Sequence, residues 1–206
     1  MDKLGKQAPK LSITYLFLRK FGGFENNAYL CTQLKLSLSM TNIIASDLFT
    51  IAKAFKGGGC VLIMRGVDKE KPDYKAILTL ANLFAKEGHQ VRILTSCHSK
   101  SEDYRIIFGR LIGTKYERKC PDLLVDDVFY EYEGFENPWK KEKVRRMISH
   151  GMKQSSHIII NNTKGASDRF IRQAIVARLK VGAIIKNVWL YEKGKKRLFY
   201  NEQKFY

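Results

Sequence analysis

The chain has 206 residues, 45% of them hydrophobic and 28% charged, which suffices for a buried core and excludes general disorder. Lysine and arginine number 37 against 20 acidic residues, a formal net charge of +17, more than solubility requires. That excess points to a polyanion that gains by releasing counterions, with nucleic acid ahead of a membrane surface or an acidic protein.

Taken in chain order, residues 1–10 are polar and no long apolar run follows them, so no signal peptide is expected. No stretch approaches the ~20 apolar residues of a membrane span. Cys31, Cys60, Cys97 and Cys120 form no CxxC pair and read as reduced thiols of a cytoplasmic protein without a membrane partner. Ile13 to Leu18 is apolar and Gly22-Gly23 breaks it. Ile43, Ile44, Leu48, Ile51, Ala52 and Phe55 recur at helical spacing up to Gly57-Gly58-Gly59, which predicts a helix ended by those glycines. Residues 1–58 are therefore expected to be a mainly helical extension, able to dock a protein partner or cover the sheet, with 59–206 as the main domain.

From Cys60 the pattern is regular. Residues 60–64 predict a strand. Pro72-Asp73 opens a helix with Ile77, Leu80, Ala81 and Phe84 inward, and Gly88 closes it. Residues 90–94 predict a strand and 102–112 a helix with Tyr104, Ile107, Phe108 and Leu111 inward. Residues 121–135 predict two strands joined at Asp126-Asp127. A helix over 143–154, a strand over 157–160, a helix capped by Ser167 and a hairpin around Lys193-Gly194 complete the chain. The order is that of an α/β (α+β) fold, a mixed sheet flanked by helices.

The hairpin carries the chemistry. A two-residue loop at Asp126-Asp127 sets Val125 opposite Val128, Leu124 opposite Phe129, Leu123 opposite Tyr130 and Asp122 opposite Glu131. Alternation then brings Asp122, Glu131 and Glu133 to one end of one face, leaving Leu123, Val125, Val128, Tyr130 and Tyr132 for the core. Like charges opposed on a sheet are destabilising. Mg²⁺, an oxygen-seeking ion, would relieve them, with Asp122 and Glu131 as its ligands and Glu133 as ligand or base. A solvated sheet end neutralised by Arg118 and Lys119 is the plainer alternative.

Pro121-Asp122 followed by Glu131-Tyr132-Glu133 resembles the PD-(D/E)xK core of restriction-endonuclease-like nucleases. Glu133 departs from it, standing where lysine is usual. Over residues 75–200 the chain is also similar to the tRNA-nuclease domain at the C-terminus of contact-dependent growth-inhibition toxins. Ala81 to Leu94, "PDLLVDD-VFYEYE" and "KQSSHIIINN" carry that likeness. The whole chain also looks like small uncharacterised proteins of Bacteroidetes mobile elements. The resemblances imply a restriction-endonuclease-like or toxin-ribonuclease-like core and phosphodiester cleavage. The toxin family has also been grouped with barnase- and RelE-type ribonucleases, which implies no metal at all.

Around this corner, Arg145, Arg146, Ser149, His150 and Lys153 fall on the outer side of the 143–154 helix. His150 is the candidate general acid or base, unless it is simply exposed. Gln154 points near the sheet, to orient a phosphate or a metal-bound water, or else satisfies the helix end. Asn161 to Arg169 runs into a helix N-terminus, where Lys164 and Arg169 favour an anion; an ordinary polar loop is the alternative. Arg172, Arg178 and Lys180 extend the basic side. Lys193 to Arg197 form a basic tip beside Trp189, Tyr191, Phe199 and Tyr200, suited to single-stranded RNA or to a solvated turn. The leading expectation is a nuclease cleaving RNA, with tRNA the candidate substrate. Lys119, Arg145, Arg146, Lys153, Lys164, Arg169, Arg172 and Arg178 would bind nucleic acid. The rivals are a non-catalytic nucleic-acid-binding accessory protein and a factor that meets an acidic protein.

Overall fold

In the computed structural model, residues 47–134 and 141–204 are described; the expectations for residues 1–46, Ile43, Ile44 and Cys31 included, lie outside them. The chain from residue 47 builds β1 (Phe49–Ala54), β2 (Cys60–Met64), α1 (Tyr74–Lys86), β3 (Gln90–Ile93), α2 (Glu102–Phe108), β4 (Leu123–Val125), β5 (Val128–Glu133), α3 (Lys141–Gln154), β6 (His157–Asn161), α4 (Asp168–Leu179), β7 (Asn187–Glu192) and β8 (Lys195–Asn201). The architecture is mixed α/β, as expected.

The helix expected to end at the triple glycine is replaced, over its described part, by a strand. β1 pairs antiparallel with β2, with a bulge between Ile51 and Lys53. The glycines make the turn: the Phe55 N–H donates to the Gly59 carbonyl at 2.9 Å. A Cβ on Gly59 would stand 2.0 Å from the Ala85 carbonyl oxygen, so only glycine lets the end of α1 approach the turn. Backbone pairing along β2 thus overrides the helical spacing: Leu48 and Phe55 at its ends do pack on the core, but Thr50 to Ala54 between them are all exposed. The sheet domain therefore reaches back past residue 59. The helix expected over 102–112 ends at Phe108 and tightens into a 3₁₀ turn over Gly109–Leu111.

The sheet has eight strands in sequential order. β2 and β3 are parallel, β3, β4 and β5 form an antiparallel meander, and β6 and β7 continue parallel to β5. The Asp126-Asp127 hairpin has the expected register, Leu123 with Tyr130, Leu124 with Phe129 and Val125 with Val128. One face buries Val61, Ile63, Val91, Ile93, Leu123, Tyr130 and Ile159 under Leu80, Ala81 and Phe84 of α1. The other face is covered in two blocks. Tyr104, Ile107 and Phe108 of α2 pack on Met64, Leu94, Leu124 and Phe129. Val144, Ile148, Phe170, Ile171 and Ile175 of α3 and α4 pack on Ile158, Ile160, Val188 and Leu190. Two residues beyond Phe129 and four beyond it, on the same face, stand Glu131 and Glu133, paired in register with Ile158 and Ile160. Among the described residues no helix is long and apolar enough to cross a membrane.

Candidate functional site

The site forms where β5 leaves the α2 block and meets α3. Glu131 is 6% exposed, and its Oε2 is buried with no hydrogen-bond partner. Its neighbours on that face are apolar Phe129 and Ile158 and the like-charged Glu133, none of which donates a hydrogen bond to that oxygen. Gly151 lets α3 come down onto the strand pair. A Cβ there would lie 3.0 Å from Ile158 Cγ2 and 3.3 Å from Glu133 Cγ. The preceding residue, His150, thereby reaches Glu133, with Nδ1 at 2.6 Å from Oε1. The Glu133 side chain is 13% exposed and that of His150 64%, so the pair faces solvent from one side. Ligand atoms of Glu131, Glu133 and His150 all lie within 4.8 Å of one another.

Asp122 adjoins this group from the start of β4. Its Oδ2 accepts the Tyr132 N–H at 3.0 Å, and its carbonyl accepts the Leu94 N–H at 2.8 Å. The expected convergence of Asp122, Glu131 and Glu133 is thus present, though Asp122 stands beside the three-residue group and not in it. The electrostatics follow. Burial, then the charges of Asp122 and Glu133, push the Glu131 carboxyl far above the usual carboxylate range. Asp122 is raised by burial and by Asp73, against the Tyr132 N–H and the cations Lys71 and His150. Glu133 is raised by burial, with His150 pulling it down. Among the described residues, Lys71 and His150 offset only part of this repulsion, and all three carboxyls stay raised.

A divalent cation fits these residues. The donors are carboxylate oxygens and one imidazole nitrogen, Oε2 of Glu131 is an orphaned buried acceptor, and the mutual repulsion is what a +2 charge would reverse.

Sequence reasoning missed Asp73, which it treated only as a helix opener. It precedes α1 and makes no capping bond with its side chain. Its Oδ1 lies 2.6 Å from where a Gly134 Cβ would stand, and its charge acts on Asp122 and Glu133. No local signal marks it, because its placement depends on how α1 crosses the sheet. His150 was expected on the outer side of its helix; its link to β5 was equally illegible.

The remaining candidates divide. Arg145, Arg146 and Lys153 are exposed on α3, Lys164 and Arg169 are exposed around the start of α4, and Arg172 is exposed one turn on. Lys119 and Arg178 are half-buried. Gln154 Oε1 is a buried acceptor with no hydrogen-bond partner. The loop expected to seat an anion at the start of α4 is braced by the protein's own side chains. Asn162 spans the loop, bonding the Ala166 N–H at 2.7 Å and Glu192 at 2.6 Å, while Arg197 holds Asp168 with Nη1 at 3.1 Å from Oδ2. Ser167 precedes the helix, but its side chain makes no capping bond.

The basic hairpin tip is also partly spent internally. Lys196 Nζ sits 4.2 Å from the Phe84 ring centre and 4.4 Å from that of Trp189, and bonds Glu87 at 2.6 Å. Burial of a cation is tolerated where rings and a carboxylate meet it, and Lys196 and Arg197 are therefore fold residues. Lys193 and Lys195 remain exposed. No family model matches the chain, and neither a curated protein nor a solved structure matches it.

Proposed function

We propose that the protein is a divalent-cation-dependent nuclease that cleaves RNA, with tRNA the first substrate to test. The observation that carries this is Glu131: a buried carboxylate with an unpartnered oxygen, within 4.8 Å of the donors of Glu133 and His150. The order of α1, β3, β4, β5, α3 and β6, with α2 inserted between β3 and β4 and an antiparallel meander followed by a parallel crossover strand, supports likening it to the restriction-endonuclease-like core. Glu131 and Glu133 would hold the cation, with Asp122 beside them. A bound cation supplies an activated water and neutralises charge developing on the phosphodiester. Asp122 keeps its orientation through the Tyr132 N–H. Exposed Arg145, Arg146, Lys153, Lys164 and Arg169 would bind RNA phosphates.

Incubation of total RNA and of tRNA with the protein, in Mg²⁺, Mn²⁺ or EDTA, tests the proposal. Cleavage should vanish in EDTA and fall by about 100-fold or more in Asp122→Asn and Glu131→Gln. Undiminished cleavage by folded variants would sink it. Glu133, where the resembled nucleases carry lysine, favours one other reading: a non-catalytic RNA-binding protein. That protein would bind RNA with strong salt dependence and leave it intact in all three conditions.

A further inference from the structure

The Glu133–His150 pair is the unusual part of the site, and its geometry says more than that a cation fits. A short carboxylate–imidazole contact, 2.6 Å between Oε1 and Nδ1, holds a proton between the two atoms. The third donor, on Glu131, belongs to the same 4.8 Å group. Ligand atoms bound to one small divalent ion at about 2.0–2.2 Å lie about 3 Å apart when adjacent and just over 4 Å apart when opposite. The Glu133–His150 pair therefore needs only a few tenths of an ångström of opening for a metal ion to replace the shared proton, with Glu131, within 4.8 Å of both, closing onto the ion by a side-chain adjustment of similar size. The polypeptide provides for it: Glu131 and Glu133 are fixed by strand pairing on β5, and Gly151 seats α3 on them.

We infer that His150 is a metal ligand with Glu131 and Glu133, and that this nitrogen donor makes the site selective for a first-row transition ion over magnesium. Imidazole suits the later first-row ions, whereas Mg²⁺ is served by oxygen donors and retained waters. The surface side of His150 leaves an open path for the ion and for the waters that complete its shell. The inference rests on the cation-binding reading of the site and is independent of whether RNA is cleaved.

The test uses the full chain and the ions alone. Titration with Mn²⁺, followed by loss of the free-ion signal in electron paramagnetic resonance, should give one tight site per chain. Competition with Mg²⁺ and with Co²⁺ should show Mn²⁺ bound more tightly than Mg²⁺, and Co²⁺, a later first-row ion, at least about 10-fold more tightly than Mg²⁺. Pulsed measurements should detect nitrogen-14 coupling to the bound Mn²⁺. His150→Gln should lose that coupling and bring the Mn²⁺ and Mg²⁺ affinities together, with the circular dichroism spectrum and melting temperature confirming a fold. Glu131→Gln should weaken both ions. Equal affinity for Mg²⁺ and Mn²⁺, no bound Mn²⁺, or nitrogen coupling that survives His150→Gln would each overturn the inference. Tight Mn²⁺ binding with intact RNA would instead overturn the nuclease proposal and leave the ligand assignment standing.

Discussion

Glu131 makes the metal-free protein depend on pH in an unusual direction. A carboxyl whose pKa is raised on folding contributes stability at low pH, and that contribution falls away as pH climbs past the ordinary carboxylate value near 4.3. Glu131→Gln should therefore raise the melting temperature of the metal-free protein at pH 7–8, by about 2–4 °C per kcal/mol recovered, while abolishing the rise that added Mn²⁺ should give the unmodified chain. Thermal melts with and without the ion check both. His157 acts with the opposite sign. Burial, then Lys186, lowers it from 6.5 to about 4, so its contribution is complete above pH 6.5 and is lost as pH falls toward 4. The loss amounts to at most about 3 kcal/mol. His157→Gln should flatten that part of the urea-derived stability profile, and an unchanged profile would refute the assignment. At this scale Asp122, Glu131 and Glu133 were legible, because a two-residue turn and an alternation of two fix their register. Asp73 and His150 were not, because helix packing places them.

Elements were legible where side chains report their own burial. The hairpin of β4 and β5 and the helices α1 and α4 show their inward residues as period two or period three to four. β1 fails that test: it lies at the edge of the sheet, Thr50 to Ala54 are exposed, and hydrogen bonds to β2, not side chains, decide its state. Its turn offers a check on the packing. Gly59→Ala pushes a methyl group to 2.0 Å from the Ala85 carbonyl and should destabilise by on the order of 2–3 kcal/mol. Gly58→Ala meets open space at a φ of +85° and should be milder, about 1–2 kcal/mol from backbone strain alone. Urea denaturation of the two variants side by side tests the ranking, and a milder effect at Gly59 would contradict the close approach of α1 to the turn.

Across the whole molecule, the net charge of +17 predicts that RNA affinity falls steeply with salt. Each phosphate contact contributes about 0.7 to the log–log slope for a single strand. Lys164→Gln and Arg169→Gln should each lower that slope by about this amount without unfolding the protein, as read by fluorescence anisotropy over a salt series. Lys196→Gln should reduce stability instead, because its cation is held by Phe84, Trp189 and Glu87. A flat salt series would mean that the charge serves some other purpose. The charge was plain in the sequence; which cations are free for a ligand was not, because ion pairing depends on the fold. Sequential strand order has its own outcome. On the face opposite α1, the sheet is covered by α2 over its leading strands and by α3 and α4 over its trailing strands. Glu131 and Glu133 stand on β5 and His150 on α3, so an ion shared by the three would rivet that helix to the strand before it. A nascent chain stopped after β5 would own two of the three donors and lack the rivet.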